Sequence, residues 1–188
     1  QKSKRWPLAD ATIARLLEKL QKNQPKVIGI DIYRDIPQLP GEEALKKQLQ
    51  AKNVIAIAKV GGVNDNVSPP PGVPTERIGF NNLILDPDNT VRRGLLYAES
   101  ESEKYYSFAL RLVLQYLENR QLKFEVLPNS PKIGNKLFNS LQADSGAYSL
   151  PDSEVAGWQT LLSYRSQEIA KRVTLADVLE DNIDPNLV

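Results

Sequence analysis

The sequence predicts an α/β domain in which helices cover both faces of a central, mostly parallel sheet, with an antiparallel hairpin appended. Residues 27–32 and 54–58 are apolar on both faces of a strand, as expected in the middle of a covered parallel sheet. An amphipathic helical pattern precedes the first stretch, and a second helical pattern lies between the two. A strand–helix–strand succession of this kind usually means parallel pairing through a right-handed crossover.

Composition limits the chemistry that the chain can perform. The 188 residues suit a single domain, and 24 basic against 23 acidic side chains leave a net charge of +1, which gives no reason to expect nucleic acid as a partner. The chain has no Cys, His or Met, which excludes Cys–His pairs, Ser–His–Asp triads and zinc sites with Cys or His ligands. Catalysis would depend on carboxylates, Lys, Tyr or Ser, and any metal would be a hard cation held by oxygen.

Two helices are predicted around the first strand. The first runs over residues 11–22, with the Asp10 carboxylate capping its free amides. Its apolar side chains fall at i, i+3, i+4 and i+7 and form one stripe that should cover the strand: Ile13, Leu16, Leu17 and Leu20. The second helix is predicted at residues 42–51, with three inward side chains, Ala44, Leu45 and Leu49.

The middle of the chain mixes loops, strands and one strong helix. Residues 61–75 contain three consecutive prolines and predict a long irregular loop. Residues 78–85 and 90–97 predict a hairpin around the turn 86–89, whose Pro and Asn suit a four-residue connection. Residues 107–120 carry a broad apolar helical face.

The last third is predicted from weaker patterns. Short β-like pieces occur near residues 124–126 and 132–133, and residues 158–164 are a third buried-strand candidate. Thr174 and Asp177 resemble a capping box, which should open a helix to about Asn182.

Asp31 is the first candidate for a functional side chain. It lies near the carboxyl end of an apolar strand, where open α/β sheets tend to bind ligands. Lys59 and Arg165 follow the other two apolar strands, and we expect them to converge on the same edge. The alternative is that Asp31 accepts backbone amides of the next loop or pairs with a Lys or Arg, since buried carboxylates are usually kept paired for stability alone.

The predicted turn at residues 86–89 offers carboxylates and two following arginines. Asp86 and Asp88 resemble the start of a calcium loop, but the downstream Glu that completes such a loop is missing. We therefore expect turn chemistry here and no metal site. In a regular strand Arg92 and Arg93 point to opposite faces, so at most one of them should reach a pocket.

Six stretches, spread in order over nearly the whole chain, together resemble the CHASE type 2 family of extracellular sensory domains. They are Arg5-Trp6-Pro7, residues 26–31, Gly79-Phe80-Asn81 with residues 86–93, residues 107–111, residues 162–165 and residues 173–179. The chain carries Asn89 where the family more often has Gly, a change that keeps the turn because Asn tolerates left-handed dihedrals.

The resemblance implies a non-catalytic sensor in a bacterial receptor. In that family the domain lies outside the membrane between flanking membrane helices and reports a stimulus to a cytoplasmic cyclase or kinase. We therefore expect an extracytoplasmic domain spanning residues 1–188, with an unknown small-molecule or physical stimulus, no cofactor and no catalytic residue. The side chains that we take as ligand-binding candidates are Asp31, Lys59, Asn81, Arg92, Tyr164 and Arg165.

Two other functions stay open at this point. One is a hydrolase that uses Asp31 with a second carboxylate and an oxygen-ligated metal, which a deep pocket with two converging acids would favour. The other is a ligand-free interaction domain that dimerises through exposed helices. The family pattern also places a buried strand beyond Val188, so we expect a domain that lacks it to self-associate or to have a mobile segment from about Asp181 onward.

Overall fold

A computed structural model describes residues 6–61, 65–100, 103–120, 122–127, 130–166 and 170–184. Within these ranges the fold is mixed α/β, as predicted. The helices are α1 (Asp10–Gln21), α2 (Glu42–Leu49), α3 (Phe108–Leu117) and α4 (Leu175–Leu179). The strands are β1 (Ile28–Ile30), β2 (Val54–Ala58), β3 (Ile78–Phe80), β4 (Arg93–Glu99), β5 (Lys104–Tyr106), β6 (Phe124–Val126), β7 (Pro131–Ile133), β8 (Lys136–Leu137) and β9 (Trp158–Leu161).

The first three strands form the predicted parallel sheet, in the order β1–β2–β3. Ile28 pairs with Val54, and Ala56 pairs on its other side with Ile78. All five residues of β2 are buried, which is why this central strand reads as a continuous apolar run. β1 is regular over only three residues, shorter than the predicted 27–32.

One side of this sheet forms the main core with α1 and α2. Ile28, Ile30, Val54 and Ala56 share a buried cluster with the inward side chains of both helices, namely Ile13, Ala14, Leu17, Leu45 and Leu49. The helical spacing of the apolar residues therefore predicted the right faces, except that Ala44 is exposed. Each fully buried Leu or Ile of this kind contributes roughly 1.5–3 kcal/mol relative to an exposed one.

Two glycines, at the middle positions of β1 and β3, let α3 pack closely against the sheet. A Cβ on Gly29 would lie 2.7 Å from the Phe108 ring, and a Cβ on Gly79 would lie 2.5 Å from the Phe108 Cα. The side chain of Ser107 caps the helix, since its Oγ accepts the Leu110 amide at 3.1 Å. The helix can begin at this point because β5 ends immediately before Ser107.

The predicted hairpin is wrong as a regular element. Residues 78–85 and 90–97 meet only at one antiparallel bridge, Ile84 to Arg93. β3 belongs to the parallel sheet instead, and β4 pairs antiparallel with β5 on one side and β9 on the other. A strand's pattern shows that it has a buried side but does not name its partner, so the nearest strand in sequence was the wrong choice.

The third buried strand of the prediction is also placed differently. β9 covers Trp158–Leu161 and lies antiparallel to β4, outside the parallel sheet, and only Gln159 in it is buried. The second sheet is thus β5–β4–β9, and within the described ranges one parallel bridge, from Phe80 to Ser107 directly after β5, joins it to the first. A third small sheet, β6–β7–β8, contacts the second through Phe124, whose ring lies 5.8 Å from that of Tyr106.

The helix starts show one correction and one confirmation. Asp10 is not the N-cap of α1 but its first residue; its buried carboxylate accepts the Gln38 amide at 3.0 Å and lies 3.6 Å from Arg34 Nε. The capping box of α4 is present, with Thr174 and Asp177 bonded reciprocally, although the helix ends at Leu179.

Some predictions fall on residues that lie outside the described ranges. These are Arg5 of the first family motif, residues 62–64 of the predicted loop and residues 185–188 of the predicted mobile end. Across the ranges that the structure covers, no helix combines the length and the apolar character needed to cross a membrane.

Candidate functional site

Two of the predicted site residues meet at the carboxyl edge of the parallel sheet. Asp31 directly follows β1 and Asn81 directly follows β3, and the Asn81 Nδ2 donates to Asp31 Oδ1 at 2.6 Å. Both strands flank β2, so its end lies between them. Asp31 is exposed, which contradicts the alternative in which it is a buried structural carboxylate.

Lys59 follows β2 at the same edge but is held by a different neighbour. Its backbone exchanges two hydrogen bonds of 3.0 Å with Val67, and its ammonium group forms an ion pair with Asp65. Lys59 also lines a cavity of about 530 Å³ that extends towards β5, and we call this space the junction cavity. Asp31 and Asn81 are not among the residues that line the junction cavity.

Arg92 lies in a second cluster, centred on the buried carboxylate of Asp86. Three side chains donate to that carboxylate: Arg93 Nε at 2.8 Å, Arg92 Nη1 at 3.2 Å and Tyr148 Oη at 2.7 Å. Arg92 also makes two bonds, of 2.8 and 2.7 Å, to Asp88. We call Asp86, Asp88, Arg92, Arg93 and Tyr148 the Asp86 cluster.

The local turn explains how two adjacent arginines reach one acid. The Asp86 amide donates to Thr90 O at 3.0 Å, and Asn89 adopts the left-handed φ of 60° that lets the chain reverse. The regular strand begins only at Arg93, so the alternation rule does not apply to Arg92. Arg92 and Arg93 each line a different cavity, so the expectation that at most one of them reaches a pocket was wrong.

Arg93 is the buried member of the pair. Its side chain is 1% exposed, against 48% for Arg92. Besides Asp86 it donates to the Glu154 carbonyl at 3.0 Å and to Gln159 Oε1 at 3.3 Å. Arg93 therefore joins the turn after Ile84 to β9 and to the segment that precedes β9.

The charges of the Asp86 cluster satisfy one another. The hydrogen bond from Tyr148, with those from Arg93 and Arg92, holds the pKa of Asp86 below its ordinary value. The bonds from Arg92 do the same for the pKa of Asp88, and the bond to Asp86 raises the pKa of Tyr148. Both carboxylates are therefore ionised and paired at neutral pH, a state that suits structure or binding rather than proton transfer.

The remaining predicted residues lie near or beyond this cluster. Tyr164 lines an open cavity of about 680 Å³ together with Arg92, Tyr148 and Leu162, and its hydroxyl donates to Val91 O at 2.6 Å. Arg165 is exposed and makes no hydrogen bond or ion pair with the described residues. The predicted convergence of Arg165 with Asp31 fails because β9 is not part of the parallel sheet.

The geometry that would favour a hydrolase is not found in the described part of the chain. Asp31 contacts the amide of Asn81 rather than a second carboxylate. Nor does any group of three or more acidic side chains, among the residues the structure covers, have the arrangement to hold a metal ion.

Sequence reasoning did not assign a site role to three members of the Asp86 cluster, namely Asp86, Arg93 and Tyr148. Asp86 was assigned to turn chemistry alone, and Arg93 was set aside in favour of Arg92. The two arginines that follow the acidic turn were a usable signal, because a tight turn can bring the acid at its start within reach of both. No local pattern marked Tyr148, which lies 62 residues from its partner.

Comparison with known proteins gives one positive finding. The model of the CHASE2 domain family matches residues 1–188, which is the whole chain. Neither the curated proteins nor the solved structures contain a match.

Proposed function

The chain belongs to the CHASE2 domain family, an extracellular sensory family of bacterial signalling proteins, and from this we propose that it senses a stimulus for a membrane-anchored receptor. The domain lies outside the cytoplasmic membrane, and membrane helices that flank it in the parent protein connect it to a cytoplasmic cyclase or kinase. The observation that carries this proposal is the family match over the entire chain.

The side-chain chemistry supports binding rather than catalysis. The carboxylates of Asp86 and Asp88 are engaged by arginines, and Asp31 accepts from an amide. Such groups can orient or recognise a ligand, but they are not poised as a nucleophile with its base. A receptor of this kind responds to a ligand only through the ligand's different affinities for two conformations.

We propose that the sensor is built as a sheet covered on both faces. The buried cluster that Ile28 and Val54 share with α1 and α2 supports cover on one face, and the close approach of Phe108 to Gly29 supports α3 on the other. A covered sheet leaves its strand ends as the accessible places for recognition.

Topology and output can be tested in the parent protein. Alkaline phosphatase fused after Val188 in the parent protein should be active in intact bacteria, since that enzyme folds only outside the cytoplasm. Deletion of this domain should change the activity of the cytoplasmic output enzyme in isolated membranes. A parent reading frame without an apolar span of about 20 residues would refute the anchored receptor.

The interaction-domain alternative and a homodimer stay predictions. Val113 and Tyr116 on α3 are partly exposed, at 45% and 41%. Sedimentation of the 188-residue chain at micromolar concentration tests this: a stable dimer that Val113→Lys disrupts would favour assembly through α3.

A further inference from the structure

The junction cavity is a large cavity outside the Asp86 cluster, with a lining that is both polar and apolar. It lies where the ends of β2 and β3 meet β5, beneath residues 66–69. Its apolar boundary includes Ala58, Ile78 and Phe80 of the parallel sheet. Tyr105 and Tyr106 of β5 form an aromatic boundary on the other side.

Arg111 supplies a cation to this cavity without a carboxylate to balance it. Its Nε donates to Ile78 O at 3.0 Å, its Nη2 donates to Thr75 O at 3.3 Å, and its guanidinium lies 4.1 Å from the Tyr106 ring centroid. Among the described residues, no carboxylate lies within 4.0 Å of Arg111, and its Nη1 has no acceptor. Burial lowers the pKa of Arg111, and Tyr106 and Glu76 only partly offset that effect.

Other charged side chains line the cavity beside Arg111. Lys104 on β5 is exposed and has no side-chain partner among the described residues, whereas Lys59 is paired with Asp65. Glu103 is engaged by the Tyr105 hydroxyl. Among the described residues that line the cavity, Arg111 and Lys104 are therefore the two cations without a carboxylate within 4.0 Å, and an arginine stays protonated at neutral pH.

We propose that the junction cavity binds a small organic carboxylate with a flat apolar body, and that Arg111 receives the carboxylate. An arginine held by two backbone carbonyls and a stacked ring is fixed in orientation, so little side-chain entropy is lost when its free nitrogen binds an anion. The rings of Phe80, Tyr105 and Tyr106 suit an apolar or aromatic body. Lys104 adds attraction at the opening.

This assignment rests on the proposed sensory function and names the class of stimulus. A ligand in the junction cavity contacts both the parallel sheet and β5 of the antiparallel sheet, which one backbone bridge connects. Binding can therefore favour one arrangement of the two sheets over another, which is the differential affinity that a sensor requires.

Benzoate is the probe, and benzamide is its uncharged counterpart of the same shape. In the isotopically labelled 188-residue chain, benzoate should produce saturable shifts in the amide resonances of residues 66–69 and 103–106. Benzamide should bind at least tenfold more weakly, because it cannot form the charge-assisted contact with Arg111. Arg111→Gln should weaken benzoate at least tenfold, while Arg15→Gln, which removes the same charge from an exposed position on α1, should leave the affinity unchanged.

A second variant keeps the test decisive if Arg111→Gln does not fold. Lys104→Glu changes an exposed residue and should weaken benzoate several-fold without altering benzamide. Failure of benzoate to bind the folded wild-type chain would overturn the proposal. Equal binding of the two probes, or shifts centred on Arg92 and Tyr164, would also overturn it. None of these outcomes changes the topology and output measurements, which test the sensory function separately.

Discussion

Replacing Arg93 with methionine removes the buried cation of the Asp86 cluster while keeping most of its volume. The change breaks the 2.8 Å bond to Asp86 and leaves the Glu154 carbonyl and Gln159 Oε1 without this donor. Asp86 keeps two donors, Arg92 and Tyr148, so its charge is not left alone. Removing one partner of a buried ion pair costs about 3–5 kcal/mol. Because of the remaining donors we expect the low end, a loss of about 3 kcal/mol in the free energy of unfolding.

The assay is thermal unfolding followed by circular dichroism. For a chain of this length, about 1 kcal/mol corresponds to roughly 2–4 °C, so Arg93→Met should lower the Tm by roughly 6–12 °C. Arg92→Met is the matched control: it removes the same charge from the same carboxylate, but from a half-exposed side chain. Its Tm should fall by less than half as much. Equal losses of Tm in the two variants would refute the argument that the cost depends on burial of the arginine rather than on the loss of a donor to Asp86.

Further outcomes follow from the packing and the charges. Gly79→Ala should lower stability by at least about 1–3 kcal/mol in denaturant unfolding, because its Cβ would meet the Phe108 backbone; an unchanged midpoint would contradict this. Asp31→Ala should change stability by less than about 1 kcal/mol, since the carboxylate is exposed; a larger loss would mean that its bond to Asn81 holds the strand ends together. The pKa of Asp86 is lowered in the folded state, so the ionised Asp86 stabilises the fold at any pH above the pKa of the unfolded chain. This contribution is lost as the pH falls through the lower pKa of the folded state. The Tm should therefore drop below about pH 4, and less steeply in Asp86→Asn.

The parts of the fold that were predicted correctly are those whose signal is local. The i, i+3, i+4, i+7 spacing of Ile13, Leu16, Leu17 and Leu20 identified α1, and the continuous run at residues 54–58 identified the central strand. The capping box at Thr174 was recognised because its two side chains lie three residues apart. Each of these features depends on residues that lie within about seven positions of one another in the sequence.

The pairing of strands was not predictable in the same way. β4 pairs with β9, more than 60 residues away, and that choice depends on packing that no short window contains. The candidate site shows the same division. Asp31 was expected at the carboxyl edge of the sheet because its strand pattern is local, but its contact with Asn81 was not predicted, since residues 78–85 were assigned to a hairpin. The bond between Tyr148 and Asp86 likewise depends on the long-range fold. Burial of Arg93 was missed because a charged residue is normally expected at the surface.

The single backbone bridge between Phe80 and Ser107 has a consequence for how the molecule opens locally. The ladders on either side contain several backbone pairs each, while the junction between them contains one among the residues that the structure describes. Local opening that separates the antiparallel sheet can leave the hydrogen bonds of β1, β2 and β3 intact, so the two sheets can behave as separate cooperative units. Amide protons in β2 would then exchange with solvent only at the free energy of global unfolding, while those of β5 exchange at a lower one.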